Sequence, residues 1–127
     1  MGRTTGFLQK GYTATAAIPK RTLVKWGAAD GTVVPAVAAT DFVIGVSSEI
    51  DTAIGERCSV AMAGNIEEVI YGGNVNRGDP LVAAAGGKAV VAAPAAGSNV
   101  RCIGYAEVSG VNNDIGSVII SPFTLQG

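Results

Sequence analysis

The feature that most constrains the fold is a turn–strand–turn–strand pattern at residues 76–91, which the chain has already used at residues 22–35. In the later copy, Asp79-Pro80 precedes one short apolar run, and Gly86-Gly87 separates it from a second. Proline pre-sets φ at a turn, and paired glycines supply the positive φ angles of a two-residue hairpin. The earlier copy places Asp30-Gly31 between two similar runs. The pattern predicts two β-hairpins.

The similarity extends beyond the hairpins. At offsets of 58, 59 and 61 positions, the matching pairs are Leu23-Val24 with Leu81-Val82, residues 43–46 with 102–105, and Ile54-Gly55 with Ile115-Gly116. Slowly growing offsets are what small loop insertions would produce. Chance similarity is the alternative, because the chain is rich in Ala, Val and Gly. We interpret residues 22–63 and 80–123 as two diverged copies of one β unit.

The remaining segments also favour strands over helices. Residues 12–18 and 56–63 alternate between polar and apolar side chains, residues 42–46 form a continuous apolar run, and residues 66–71 are rich in β-branched side chains. Pro122 is expected to end the last strand and to leave residues 123–127 as a tail. Residues 1–11 show no periodicity. We therefore predict an all-β chain, with an extended N-terminal arm (residues 1–11) followed by one β domain (residues 12–127).

Composition limits the classes of protein to which the chain can belong. A chain of 127 residues is long enough for one domain, and 48% apolar with only 6% aromatic residues predicts a core of small side chains. The net charge of −1 gives no field that would attract nucleic acid. No apolar run approaches the length of a membrane span or a signal peptide. We expect a protein made in the cytoplasm, with neither nucleic acid nor membrane as its partner.

The sequence offers little for catalysis. It contains no histidine, and its carboxylates are scattered through predicted loops. Glu67 and Glu68 are adjacent and would point to opposite faces of a strand, which makes them a poor acid–base pair. We predict no catalytic, cofactor-binding or metal-binding residues and no enzymatic activity. Cys58 and Cys102 are interpreted as buried free thiols, with a disulfide as the alternative.

Charge is distributed unevenly along the chain. Residues 1–25 carry five basic side chains and no acidic one, whereas the remainder carries four basic and ten acidic side chains. This asymmetry predicts an arm that docks on an acidic partner surface, with a solvated terminus as the alternative. The residues predicted to dock are Arg3, Phe7, Leu8, Lys10, Lys20 and Arg21.

Two further features have competing interpretations. Arg77-Gly78-Asp79 matches the tripeptide that integrins recognise, but a turn before a strand is the interpretation we favour. Trp26, the only tryptophan, is interpreted as a plug in the core or in a subunit contact. A mean hydropathy of +0.37 in so small a chain also favours some burial of apolar surface between subunits.

Several motifs together resemble those of the capsid decoration, or cement, proteins of tailed bacteriophages. They are "FVIGVSSE" at 42–49, "GDPL" at 78–81, "GGK" at 86–88 followed by a valine pair, and "IGYAEV" at 103–108. The basic N-terminus, the Ala-rich turns and the Val-Ile final strand fit the same resemblance, which covers residues 12–123.

The resemblance implies a small β-barrel or β-tulip-like domain that binds the outside of an assembled icosahedral shell and braces it. It implies the major capsid protein as partner, a homotrimer, and a place on the virion exterior. The position of Trp26 in the subunit contact is a separate prediction, made from the residue itself. The alternative from a different class is a small adhesive or carbohydrate-binding β module, which would normally show several exposed aromatic side chains.

Overall fold

The computed structural model describes residues 9–127, and in that range it is an all-β protein with ten strands. The first five strands form a closed barrel, which we call the barrel unit. The last five form a second sheet, which we call the sheet unit. In chain order the strands are β1 Gln9–Ala14, β2 Leu23–Trp26, β3 Thr32–Pro35, β4 Val43–Ser47, β5 Arg57–Ala61, β6 Ile66–Ile70, β7 Pro80–Ala84, β8 Lys88–Val91, β9 Asn99–Ala106 and β10 Ile115–Gln126.

The two units have the same strand order. The barrel unit runs β3-β2-β4-β5-β1 and the sheet unit runs β8-β7-β9-β10-β6. In the barrel unit, β1 closes the circle by pairing antiparallel with β5 and parallel with β3. In the sheet unit, β6 pairs antiparallel with β10, and Tyr71 after it forms only an isolated parallel bridge with Ala89 of β8. This shared topology supports the proposal that the chain contains two copies of one unit, each with five strands.

The strand register shows which residues are equivalent. Gly45 of β4 faces Val24 on β2, and Gly104 of β9 faces Leu81 on β7. Val24 therefore takes the place of Leu81, and the expected match of Leu23 with Leu81 is wrong by one residue. The paired residues are 21 positions apart in the barrel unit (24 and 45) and 23 apart in the sheet unit (81 and 104), so a difference in the length of the intervening chain displaces the match.

The two units share a hydrophobic core. The largest buried cluster joins Leu23, Val43 and Val46 of the barrel unit to side chains such as Leu81 and Ile103 of the sheet unit. A second cluster fills the barrel interior, and a third lies between β7, β9 and β10. Cys58 belongs to the second cluster and Cys102 to the third, and both are free thiols whose pKa is raised by burial.

Three expectations about element boundaries need correction. The tail predicted after Pro122 is part of β10, where Phe123 pairs with Cys102 and Gln126 with Asn99. Pro122 lies in a bulge between Ile120 and Phe123, where a residue without an N–H is tolerated. The turn at Gly86-Gly87 has the expected positive φ angles, but it is a three-residue 3-10 turn, Ala85–Gly87.

The third correction concerns the arm. Residues 9–11 were predicted to belong to it, but they begin β1 and pair with residues 59–61 of β5. Lys10 and Gly11 were misassigned because a half-exposed strand end carries no hydrophobic alternation. Arg3, Phe7 and Leu8 lie outside the described residues.

This boundary predicts a difference between two truncations. Deleting residues 2–11 removes the part of β1 that pairs with Ala61, Val60 and Ser59, whereas deleting residues 2–8 leaves all of β1 in place. The first variant should therefore melt several degrees below the second when both are followed by circular dichroism. Equal melting temperatures would show that the first three residues of β1 contribute nothing to the stability of the barrel unit.

Equivalent glycines bring neighbouring strands unusually close. A Cβ at Gly45 would lie 2.2 Å from the carbonyl oxygen of Ala61, and one at Gly104 would lie 1.9 Å from that of Ile119. Gly104 also has a φ of +154°, which side-chain-bearing residues rarely adopt. Gly45→Ala and Gly104→Ala should each lower the free energy of unfolding by about 2–4 kcal/mol. Urea titration measures this, and Gly73→Ala, where a Cβ meets nothing within 4 Å, is the matched control.

Candidate interaction surface

Five of the ten carboxylates of the chain accept hydrogen bonds from loop backbone N–H groups. Side-chain oxygens accept bonds of 2.8–3.1 Å from backbone N–H groups of nearby turns at Asp41, Asp51, Glu56, Asp79 and Asp114. Each carboxylate therefore satisfies donors that strand ends leave unpaired. This arrangement gives these acids a structural role.

The Arg77-Gly78-Asp79 tripeptide is one of these turns. The Asp79 carboxylate accepts a hydrogen bond from the backbone N–H of Asn76 at 2.8 Å, and the N–H of Arg77 donates to the hydroxyl of Ser109 at 3.0 Å. The turn directs the chain into β7, as the sequence interpretation favoured.

Residues 9–127 contain no group of three or more His, Cys, Asp or Glu side chains that could hold a metal ion. In the same range, no helix is long and apolar enough to cross a membrane.

An apolar cleft of about 520 Å³ lies at one open end of the barrel unit, and we call it the barrel mouth. Antiparallel pairing brings the starts of β1 and β4 to the same end as the finishes of β2 and β5. The floor includes Ile44 and Met62, which border the barrel interior. The full lining is Gln9, Lys10, Trp26, Phe42, Val43, Ile44, Met62, Ala63 and Pro122.

Two exposed aromatic rings stand at the barrel mouth. The ring centroids of Trp26 and Phe42 are 5.4 Å apart, and about half of each residue is accessible, 49% and 51% respectively. The guanidinium carbon of Arg101 lies 4.5 Å from the centre of the Phe42 ring. A tryptophan and a phenylalanine exposed side by side are typical of a surface that buries them against a partner.

The barrel mouth adjoins a second cleft on the sheet unit, whose lining is about as polar as it is apolar. This smaller cleft, of about 160 Å³, shares Phe42, Val43 and Pro122 with the barrel mouth and extends to Arg101 and Thr124. The two clefts together therefore include residues from both units, brought together by the contact between β4 and β9.

Asp41 holds the loop that presents Phe42. Its carboxylate accepts hydrogen bonds from the backbone N–H groups of Val37 and Ala38 and from the Lys25 ammonium at 3.0 Å. Burial by itself raises the pKa of Asp41, but these bonds and the Lys25 charge outweigh it, so the pKa lies below its usual value. The carboxylate therefore remains ionised and keeps the loop closed.

The predicted docking residues lie in different places. Lys10 lines the barrel mouth, with its ammonium 5.4 Å from the centre of the Tyr12 ring. Lys20 lies in a turn, where its backbone N–H donates to Asp51. Arg21 is already paired with Glu68 at 2.9 Å, across the contact between the two units. Trp26, predicted to lie in a subunit contact, stands at the barrel mouth beside Lys10.

Sequence reasoning missed Phe42, Arg101 and Pro122 as parts of this surface. Phe42 was assigned to a buried strand, but it directly precedes β4, whose residues Val43–Ser47 are all buried. An aromatic residue just outside a continuous apolar strand was the available signal. Arg101 had no such signal, because its contact with Phe42 joins positions 59 residues apart.

Comparison with known proteins identifies a shared fold. No family model and no curated protein matches the chain. The crystal structure of the head fibre gp8.5 N base of bacteriophage phi29 is similar, with a TM-score of 0.65, 19% sequence identity, and coverage of 90% of this chain and 93% of that chain. At this identity the likeness shows the fold, and it extends over both the barrel unit and the sheet unit.

The Asp41 contacts predict a pH-dependent difference in stability. Because the folded pKa is depressed, the carboxylate stabilises the protein above its unfolded pKa of about 3.9, and this contribution is lost as pH falls through the folded pKa. Asp41→Asn should lower the free energy of unfolding by about 1–2 kcal/mol at pH 7. The difference from wild type should shrink steadily below about pH 4. Urea titrations from pH 7 to pH 2.5 measure it, and a pH-independent difference would contradict the assigned role.

Proposed function

We propose that this chain is a structural protein of a bacteriophage virion that binds the outer surface of the assembled head and stabilises it, without catalysis. The observation that carries the proposal is the fold shared with a phage head fibre base over nearly the whole length of both chains. The sequence motifs that resemble phage cement proteins point independently to the same part of a virion.

The chemistry of the described surface is consistent with this role. Five of its carboxylates accept hydrogen bonds from turn backbones, and the cleft at the barrel mouth is apolar with exposed aromatic rings at the rim. Such a surface can bind another protein by burying apolar area. Among residues 9–127, the lining of the barrel mouth lacks the array of polar side chains that would fix sugar hydroxyls, so we favour the head over the alternative of a carbohydrate-binding module.

The partner proposed for the N-terminal region is the major capsid protein shell. Arg3, Phe7, Leu8, Lys10 and Lys20 would supply the basic and apolar contacts, and Arg21 would contribute less because it already pairs with Glu68. The proposed assembly on the head is a homotrimer with Trp26 in the contact between copies. The proposed location is the exterior of the virion, after synthesis in the bacterial cytoplasm.

Head binding is tested by co-sedimentation of the purified chain with heads assembled from the major capsid protein of the same phage. We expect saturable binding to expanded heads and an increase in their melting temperature. Lys10→Glu combined with Lys20→Glu should weaken binding about tenfold, and salt should weaken binding by the wild type, since exposed charge pairs contribute about 0.5–1 kcal/mol each.

The matched control is Arg77→Glu, which changes charge by the same amount per residue at an exposed turn of the sheet unit. It should bind as well as the wild type. Heads that neither retain the chain nor gain thermal stability would overturn the proposal. Cryo-electron microscopy of decorated heads tests the trimer, because isolated copies without mutual contacts would contradict it.

A further inference from the structure

The second half of β10 has one edge that is unpaired within residues 9–127. β6 pairs with β10 only as far as Ile119, and the backbone groups of Ile120 on that side bond to Gly64 and Asn65. Beyond this point, β10 continues to Gln126 with β9 as its only strand partner in the described chain.

The hydrogen-bond pattern shows which backbone groups face outward. The N–H of Gly127 donates to Ser98 on the β9 side, so residues of the same parity, Leu125 and Phe123, also face β9. The N–H of Arg101, opposite Thr124, points away from β10 and donates to Ala39. Both observations place the backbone N–H and C=O of Thr124 and Gln126 on the open edge.

This open edge borders the two clefts. Thr124 lines the smaller cleft, and Pro122, which precedes it, lines both that cleft and the barrel mouth. An extended segment that pairs with Thr124 and Gln126 would continue past Pro122 towards Phe42 and Trp26. Main-chain hydrogen bonds and apolar side-chain contacts are thus available to the same segment.

The charges beside this surface select the chemistry of that segment. Lys10 lines the barrel mouth and Arg101 lines the smaller cleft, and each contacts an aromatic ring. Neither forms a salt bridge with a carboxylate among the described residues. A segment with carboxylates at these positions would neutralise both cations, whereas a basic segment would be repelled.

We propose that the open edge of β10 and the barrel mouth together form a docking site for an extended, acidic and apolar segment of a partner protein, which adds to β10 as a strand. Carboxylates of the segment pair with Arg101 and Lys10, and its apolar side chains cover Phe42 and Met62 beside Trp26. The described residues form this site, whichever virion or other assembly supplies the partner.

Charge also argues against two other occupants. The first eight residues of this chain, in the same copy or in a second one, contain Arg3 and no acidic side chain, so they cannot neutralise Lys10 and Arg101. Two copies that met edge to edge at β10 would bring their Arg101 side chains into one interface. The acidic segment is therefore assigned to a different protein.

The test uses the full chain as bait for a displayed library of random linear peptides of about twelve residues, long enough to extend a strand and reach the barrel mouth. We expect enriched peptides to combine apolar residues with at least one Asp or Glu. Synthetic copies are titrated by the fluorescence of Trp26, the only tryptophan of the chain. Peptides enriched in Lys or Arg, or no enrichment at all, would overturn the proposal.

Three variants distinguish strand addition from nonspecific apolar binding. Thr124→Pro removes an outward N–H without removing a donor to β9, so it should weaken the selected peptides at least about tenfold. Thr124→Val keeps the N–H and should bind within about twofold of wild type. Arg101→Met keeps the stem of the side chain and removes the charge, and should weaken binding about fivefold or more. Melting curves for each variant exclude unfolding as the cause.

Other results would assign the site to another occupant. If deleting residues 2–8 strengthens peptide binding markedly, the N-terminal segment of this chain occupies the site. If the wild type self-associates in sedimentation velocity and Thr124→Pro abolishes this, a second copy occupies it. Unchanged peptide binding by both Thr124→Pro and Arg101→Met would show that neither the open edge nor the charge contributes.

Discussion

The architecture depends on the close approach of strand backbones at two glycines. At Gly45 and at Gly104, the carbonyl of the neighbouring strand occupies the space that a Cβ would need. The two oxygens belong to Ala61 and Ile119, which stand at equivalent places in the two units. Because barrel curvature requires strands to bend sharply towards one another, the same steric solution appears in both units. This shared detail supports duplication more strongly than the shared strand order alone.

Closure, however, differs between the units, and a single side chain accounts for much of the difference. Ala14 of β1 pairs with Val33, whereas at the equivalent bridge the buried ring of Tyr71 stands beside Ala89. The Tyr71 hydroxyl donates to the carbonyl of Val108 at 2.6 Å, and the ring lies against Gly110 and Gly116. A large ring inside the sheet unit occupies volume that β-strand contacts fill in the barrel unit. One bridge joins Tyr71 to β8 in the sheet unit, whereas two residue pairs join β1 to β3 in the barrel unit.

The parts of the fold that the sequence predicted are those set by local chemistry. Proline and glycine at turns located the hairpins β2–β3 and β7–β8, and alternation located β5, because these signals act within a few residues. The prediction that the last strand ends at Pro122 was wrong. Pro122 lies in a bulge, where its missing N–H removes no hydrogen bond between β10 and β9. The assignment of residues 9–11 to the arm was wrong, because their pairing with β5 is a long-range contact that leaves no local pattern in the sequence.

The candidate surface was harder to predict, because its residues also come together through long-range contacts. Lys10 and Trp26 were singled out for charge and size, and the structure places both at the barrel mouth. Phe42 meets Trp26 through the pairing of β2 with β4, and Arg101 and Pro122 join them only through the packing of the sheet unit on the barrel unit. No periodic pattern in the sequence predicts contacts of this kind. The role of five acidic side chains as acceptors for turn N–H groups was not predicted, because it depends on the positions of the loops.

The unequal lengths of β6 and β10 connect the fold to the proposed binding site. β6 is short because the chain must leave the barrel unit at Met62 and turn through Gly64 and Asn65 before it can enter the sheet unit. β10 is long because β9 provides a partner as far as Asn99. The difference leaves an unpaired edge, and it does so beside the barrel mouth, because residues 62–65 form the connection between the two units. An edge of this kind favours association with another strand unless a partner covers it. Joining two five-strand units in tandem thus creates, at their junction, both an apolar cleft and a strand edge able to hold a partner against it.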